Sequence, residues 1–174
     1  KLKPSKQLRA DAIYQQFRHY FHDVTAGNPV EFVLAELRRH AGYYARFSLS
    51  QETDPTLAEP AKRLRTLVEV ASPLMLRLYD CHDRLQNLST KEFRMAIDLL
   101  ESYVFRRSAC DMQTRSLYQI FASIAYKIRD DSPLQSLKVA LYRGGKQRRF
   151  PTDDEFREAL ENRDAYTMRN CAYL

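Results

Sequence analysis

No tryptophan occurs among the 174 residues, and glycine occurs only four times. With so little glycine, tight left-handed turns have few natural positions, and alternation at period two is hard to find, so β-strands have little support. The three cysteines, Cys81, Cys110 and Cys171, lie far apart and form no C-x-x-C pair. That spacing argues against a disulfide framework and a structural zinc site, and it reads as free thiols in a reducing compartment. No apolar run approaches the ~20 residues of a membrane span, and the N-terminal KLKPSKQLRA lacks the apolar core of a signal peptide. A cytoplasmic location without a membrane partner is expected. The phosphate-binding G-x-x-x-x-G-K-[ST] loop, the zinc-binding H-E-x-x-H and the G-x-S-x-G nucleophile elbow are all missing, so the chemistries they serve lack their signatures. The sequence calls for no cofactor, no metal and no catalytic residue of its own.

What is present reads as helix. Hydrophobic residues make up 44% and charged residues 29%, ordinary values for a globular chain. The length fits one domain, 1–174, that buries roughly 70% of the surface its unfolded form exposes. Four times a capping residue precedes a proline suited to a first helical turn: Asn28-Pro29, Asp54-Pro55, Ser72-Pro73 and Ser132-Pro133. Asn28 with Glu31, Ser89 with Glu92 and Thr152 with Glu155 have capping-box spacing. These signals place helices near 6–23, 29–47, 56–70, 73–86, 90–108, 114–129, 134–142, 153–161 and 164–174. The expected fold is all-α, an irregular multi-helix bundle of about nine helices with no sheet. The chain opens on Lys1 and closes on CAYL inside an apolar helical pattern, which reads as a segment of a longer multidomain protein.

Apolar stripes supply the expected core. Leu8, Ile13, Phe17, Tyr20 and Phe21 share one face of the first helix, and Leu117, Ile120, Phe121, Ile124 and Ile128 mark the sixth. Fully burying one such side chain is worth roughly 1.5–3 kcal/mol, against about 0–1 kcal/mol for a surface ion pair. The stripe of the fifth helix, Phe93, Ile97, Leu100 and Val104, arrives next at Arg107. A buried guanidinium costs several kcal/mol unless paired, so Arg107 is expected to be a structural clamp on C-terminal carbonyls or on a neighbouring carboxylate. Arg106, turned about 100° from it, faces solvent, DNA or an adjoining domain.

The formal charge of +6 is concentrated in places. YRGGKQRRF puts Arg143, Lys146, Arg148 and Arg149 in a glycine-bearing loop without an acid, a candidate contact for nucleic-acid phosphates; the alternative is a solvated loop beside the acidic TDDEF. Lys62, Arg63 and Arg65, with Glu59 and Glu69 nearby, read as a solvated face. Arg77, Leu78 and His82 match the arginine, apolar residue and later histidine of helical HEPN-type ribonucleases, and His82-Asp83 with His40 resembles part of an HD phosphohydrolase site. The bland alternative for His82 is a half-exposed residue at a helix end.

The order of landmarks along most of the chain resembles the helical region of the GmrSD-type, modification-dependent restriction endonucleases. These landmarks are Tyr43-Tyr44, LRTLVEVASPLMLRLYD at 64–80, LLESYVFRRSAC at 99–110, Thr114 with LYQIFASIA at 117–125, FPTDDEFREAL at 150–160, then Asp164 and Tyr166. ESYVFRR and FPTDDEF are the specific stretches. One departure is Arg115, where that family often carries asparagine. The resemblance implies a non-catalytic helical module between an N-terminal nucleotide-handling domain, whose D-G-Q-Q-R-like motif would precede Lys1, and a C-terminal HNH-like nuclease whose histidine motif would follow Leu174. Its implied partners are those flanking domains of the same chain and double-stranded DNA, in phage defence. A self-contained ribonuclease using Arg77 and His82, and a protein-interaction scaffold unrelated to DNA, are the alternatives. Oligomeric state is not fixed by the sequence.

Overall fold

The computed structural model describes residues 10–112, 115–145 and 148–162, and among them there are helices and no strand. Eight α-helices follow one another: α1 (Ala10–Thr25), α2 (Val30–Ser48), α3 (Pro55–Leu67), α4 (Ser72–Tyr79), α5 (Thr90–Ala109), α6 (Leu117–Lys127), α7 (Pro133–Tyr142) and α8 (Asp153–Asn162). A 3-10 turn at Glu69–Ala71 leads into α4, and a π turn at Asp80–Arg84 extends it. All-α architecture is thus as expected. The helix expected over 164–174 lies outside the described residues.

The caps are used unevenly. Ser89 and Glu92 close a reciprocal capping box on α5, Thr152 and Glu155 do the same on α8, and the Asp54 carboxylate accepts from Thr56 N–H at 2.8 Å. Asn28 does not cap α2. Its amide donates instead to the Val24 carbonyl, closing the end of α1. Ser72 lies inside α4 and bonds Ser48, and Ser132 donates to Asp131. Pro60 sits within α3, where its missing N–H leaves the Thr56 carbonyl without a helical partner. Arg94 of α5 approaches that carbonyl at 3.5 Å, so a local defect becomes a contact between helices.

The core surrounds α5, which buries Phe93, Ala96, Ile97, Leu100, Tyr103 and Val104. Leu57 and Leu64 of α3, Leu74, Met75 and Leu78 of α4, Ile120 and Phe121 of α6, and Leu137 and Leu141 of α7 complete one cluster. The stripe of α6 is used as its period predicts. That of α1 is used only in part, because Ile13 and Phe17 remain 55% and 38% exposed.

Scarce glycine leaves a visible mark at the helix ends. Ser50, Gln86 and Asp111 take the left-handed conformation, with φ of 56°, 52° and 53°. They close the turns in which Gln51 N–H reaches the Ala45 carbonyl and Met112 N–H the Arg107 carbonyl, a position where glycine is the usual residue. A side chain in that conformation costs roughly 1–2 kcal/mol, partly offset by the smaller backbone entropy it loses. Ser50→Gly is therefore expected to raise unfolding stability by about 0.5–1 kcal/mol, read from urea midpoints; a loss of stability would contradict this account of the turn.

Candidate nucleic-acid interface

The basic loop is held at both ends and in the middle. Phe150 N–H bonds the Leu141 carbonyl at 3.2 Å, and Arg149 N–H reaches the Gly145 carbonyl at 3.1 Å. The loop turns so tightly at Gly144 that a Cβ there would stand 2.6 Å from the Arg148 carbonyl oxygen. That oxygen accepts from the buried Tyr103 hydroxyl of α5 at 2.8 Å. Tyr103 thus fixes the loop's backbone from below, while the Phe150 ring stacks on Tyr142 with centroids 5.0 Å apart.

The loop's cations have separate fates. Arg149 forms a two-pronged pair with Glu155 of α8, Nη1 to Oε2 at 2.6 Å and Nη2 to Oε1. Its guanidinium anchors the loop to the next helix. Arg143 and Arg148 are exposed, and among the described residues neither side chain makes an ion pair. Lys146 lies outside the described residues. Lys127 and Arg129, at the end of α6, join Arg143 in lining a shallow cavity of about 290 Å³ with Ser132, Gln135 and Ser136. Sequence reading missed these two, because the helix-to-helix proximity that joins them to Arg143 has no local signature. Arg129 is partly neutralised by Asp131, with Nε and Oδ1 3.0 Å apart. Lys127 and Arg143 also stand at the C-terminal ends of α6 and α7, where the helix dipole itself favours a cation.

Arg106 turns out of the buried stripe, but towards α8. It pairs with Asp153 at 2.5 Å, and its guanidinium lies 4.8 Å from the Phe156 ring centre and 5.6 Å from that of Phe150. Its cationic head is used within the molecule. Arg107 is fully buried, with its guanidinium 5.3 Å from the Tyr103 ring centre and Nη1 3.9 Å from the Met112 sulfur. Since Met112 N–H also bonds the Arg107 carbonyl, this residue ties the end of α5 to the segment that leaves it.

Arg63 and Arg65 are more than a solvated face. Arg63 of α3 pairs with Glu101 of α5 at 3.0 Å, and Arg65 reaches the Ser48 carbonyl of α2 at 3.5 Å. Lys62 alone stays mostly in water, 4.0 Å from Glu59. Arg77 and His82 have different partners. Arg77 reaches Asp130 and the Ile128 carbonyl beyond α6, whereas His82 Nδ1 lies 2.8 Å from the Leu88 carbonyl and its ring packs on Phe93. His40 makes a local bond, Nδ1 to the Glu36 carbonyl at 2.9 Å. Asp80, in the π turn, is gripped by Arg84 at 2.6 and 2.7 Å and flanked by Arg39 and Arg77. Among the described residues no three histidines, cysteines, aspartates or glutamates gather to hold a metal ion.

These bonds set the acid response. Burial pushes the Glu52 carboxyl up, but Arg46, the Tyr79 hydroxyl and the Asp54 N–H outweigh it and hold the group below the usual range. Burial likewise raises Asp80, and Arg84 and Arg39 overcome it. Arg149 and the Thr152 N–H hold Glu155 down at about 2. Burial pushes the Cys81 thiol up to about 11, away from a reactive thiolate. Burial lowers His40, with Asp80 opposing. A depressed carboxylate stabilises fully above its unfolded pKa of ~3.9–4.3 and loses that contribution as pH falls through its folded value. The unfolded chain protonates His40 first, so stability also declines as pH falls below ~6.5. The melting temperature is expected to dip slightly below pH ~6.5 and steeply below pH ~4.3, with the steep part reduced in Glu52→Gln. A melting temperature flat down to about pH 3 would contradict these pairings.

Compared with models of known protein families, with curated proteins and with solved structures, the chain finds no match. Among the described residues no helix is long and apolar enough to cross a membrane.

Proposed function

We propose that this chain is the helical body of a GmrSD-like DNA restriction endonuclease, a non-catalytic module that holds a nucleotide-handling domain and a nuclease at a defined separation. The observation that supports this most is where its polar side chains go. Arg46 to Glu52 and Asp83, Arg63 to Glu101, Arg77 to Asp130, Arg106 to Asp153 and Arg149 to Glu155 all join one element to another. A catalytic centre needs acids and bases that converge on an open position. The acids and arginines just named are instead occupied by each other. The resemblance of ESYVFRR and FPTDDEF acquires a physical sense on this reading, because Arg106 and Asp153, one from each stretch, form a bridge.

The same body touches DNA phosphates through Arg143 and Arg148, with Lys127 beside Arg143. Such contacts bring affinity by releasing counterions and carry no sequence information. Duplex binding is expected to weaken steeply as salt rises, and Arg148→Ala is expected to reduce the slope of log K against log salt by roughly 1. Binding titrations at several salt concentrations measure this. Failure to bind at low salt would remove the phosphate contact. Cleavage of DNA or RNA by the pure chain, abolished by Arg77→Ala or His82→Ala, would overturn the non-catalytic reading and favour the helical ribonuclease.

A further inference from the structure

α2 carries two apolar faces, and among the described residues only one is covered. Val33, Tyr43 and Phe47 are buried. On another face Val30, Leu34, Leu37, Ala41 and Tyr44 follow at steps of four, three, four and three, the heptad spacing of a coiled-coil seam. That seam is open, with Val30, Leu34, Leu37 and Tyr44 between 45% and 58% exposed. It runs for 15 residues, Val30 to Tyr44, about 21 Å of helix. Monomeric proteins seldom leave so continuous an apolar strip in water.

The charges beside the seam indicate what covers it. Glu31 and Arg38 stand seven residues apart on the same flank, both exposed, and among the described residues neither makes an ion pair. We propose that the seam is a homodimer interface, in which α2 packs antiparallel against α2 of a second copy. With the two-fold axis between residues 35 and 36, Leu34 faces the partner's Leu37 and Val30 faces the partner's Ala41. The same register brings Glu31 next to the partner's Arg38, and by symmetry Arg38 next to the partner's Glu31. In antiparallel coiled coils, positions on one flank meet their own kind across the interface, so one opposite-signed pair is satisfied twice. A parallel pairing would leave those two charges a full heptad apart and unsatisfied. The sequence is therefore self-complementary in one orientation only. This inference does not depend on the restriction-endonuclease reading.

Light scattering of the full 174-residue chain over a range of concentrations tests it. The expected result is a species of twice 20.5 kDa that dissociates on dilution. Leu37→Glu is expected to give the monomer mass with an unchanged helical spectrum. Glu31→Arg and Arg38→Glu are each expected to raise the dissociation constant about tenfold, and the combined charge exchange to restore it. A monomer at every concentration would overturn the proposal, as would a dimer indifferent to Leu37→Glu or a double exchange that fails to rescue. A monomer in which Leu37 becomes protected only in a longer chain would assign the seam to a flanking domain, and would overturn it equally.

Discussion

A charge withdrawn from water has to be met by an opposite charge or an aligned dipole, and that requirement governs how this helical body is joined. Its clearest expression is Arg46 of α2. The guanidinium donates from Nε to Glu52 at 2.9 Å and from Nη1 to Asp83 at 2.5 Å, and lies 4.3 Å from the centre of the Tyr79 ring. The Tyr79 hydroxyl donates to the same Glu52 at 2.6 Å, and the Glu52 side chain is only 2% exposed. Tyr79 in turn stacks on Tyr43 and meets Phe93 edge to face. One group of polar atoms therefore joins α2, the loop before α3, and α4 with its π turn, and the Tyr79 ring carries the connection to α5. Removing Arg46 would leave the Glu52 carboxylate, only 2% exposed, without its guanidinium, which is more costly than the pair is stabilising.

The same logic recurs wherever the helices meet. Asp80 is buried at 6% exposure because Arg84, Arg39 and Arg77 surround it. The π turn matters here, since its wider winding carries Asp80 to Arg84 as one closed turn, with Leu85 N–H bonded to the Asp80 carbonyl at 3.0 Å. At the other end of α5, Tyr103, Arg106 and Arg107 do three jobs from one turn: they hold the basic loop, bridge to α8 and tie down the exit of the helix. A body built this way has its helices tied to one another at several points by charged pairs.

Local features were legible in the sequence and distant ones were not. Helix periods and the boxes at Ser89 and Thr152 are written within four residues, so all-α architecture followed directly. The burial of Arg107 was readable because it continues a stripe of known spacing. The role of Arg149 was not, since its partner Glu155 belongs to a capping box whose carboxylate serves the helix and the arginine together. Asn28 misled because the same side chain suits the start of one helix and the end of the one before. Arg63 with Glu101 and Arg77 with Asp130 span 38 and 53 residues, and no pattern of neighbours encodes such a meeting. The exposed seam of α2 is a different case, because a heptad announces an apolar face without saying whether the chain itself will cover it.

The central claim is that these arginines are architectural, and a double-mutant cycle on Arg46 and Glu52 tests it most directly. Unfolding free energies of Arg46→Ala, Glu52→Ala and the double variant yield the coupling between the two side chains. The account predicts a coupling of about 1.5–3 kcal/mol, as befits a charge-assisted bond shielded from water. A coupling below about 0.5 kcal/mol, the value of a solvated surface pair, would contradict it.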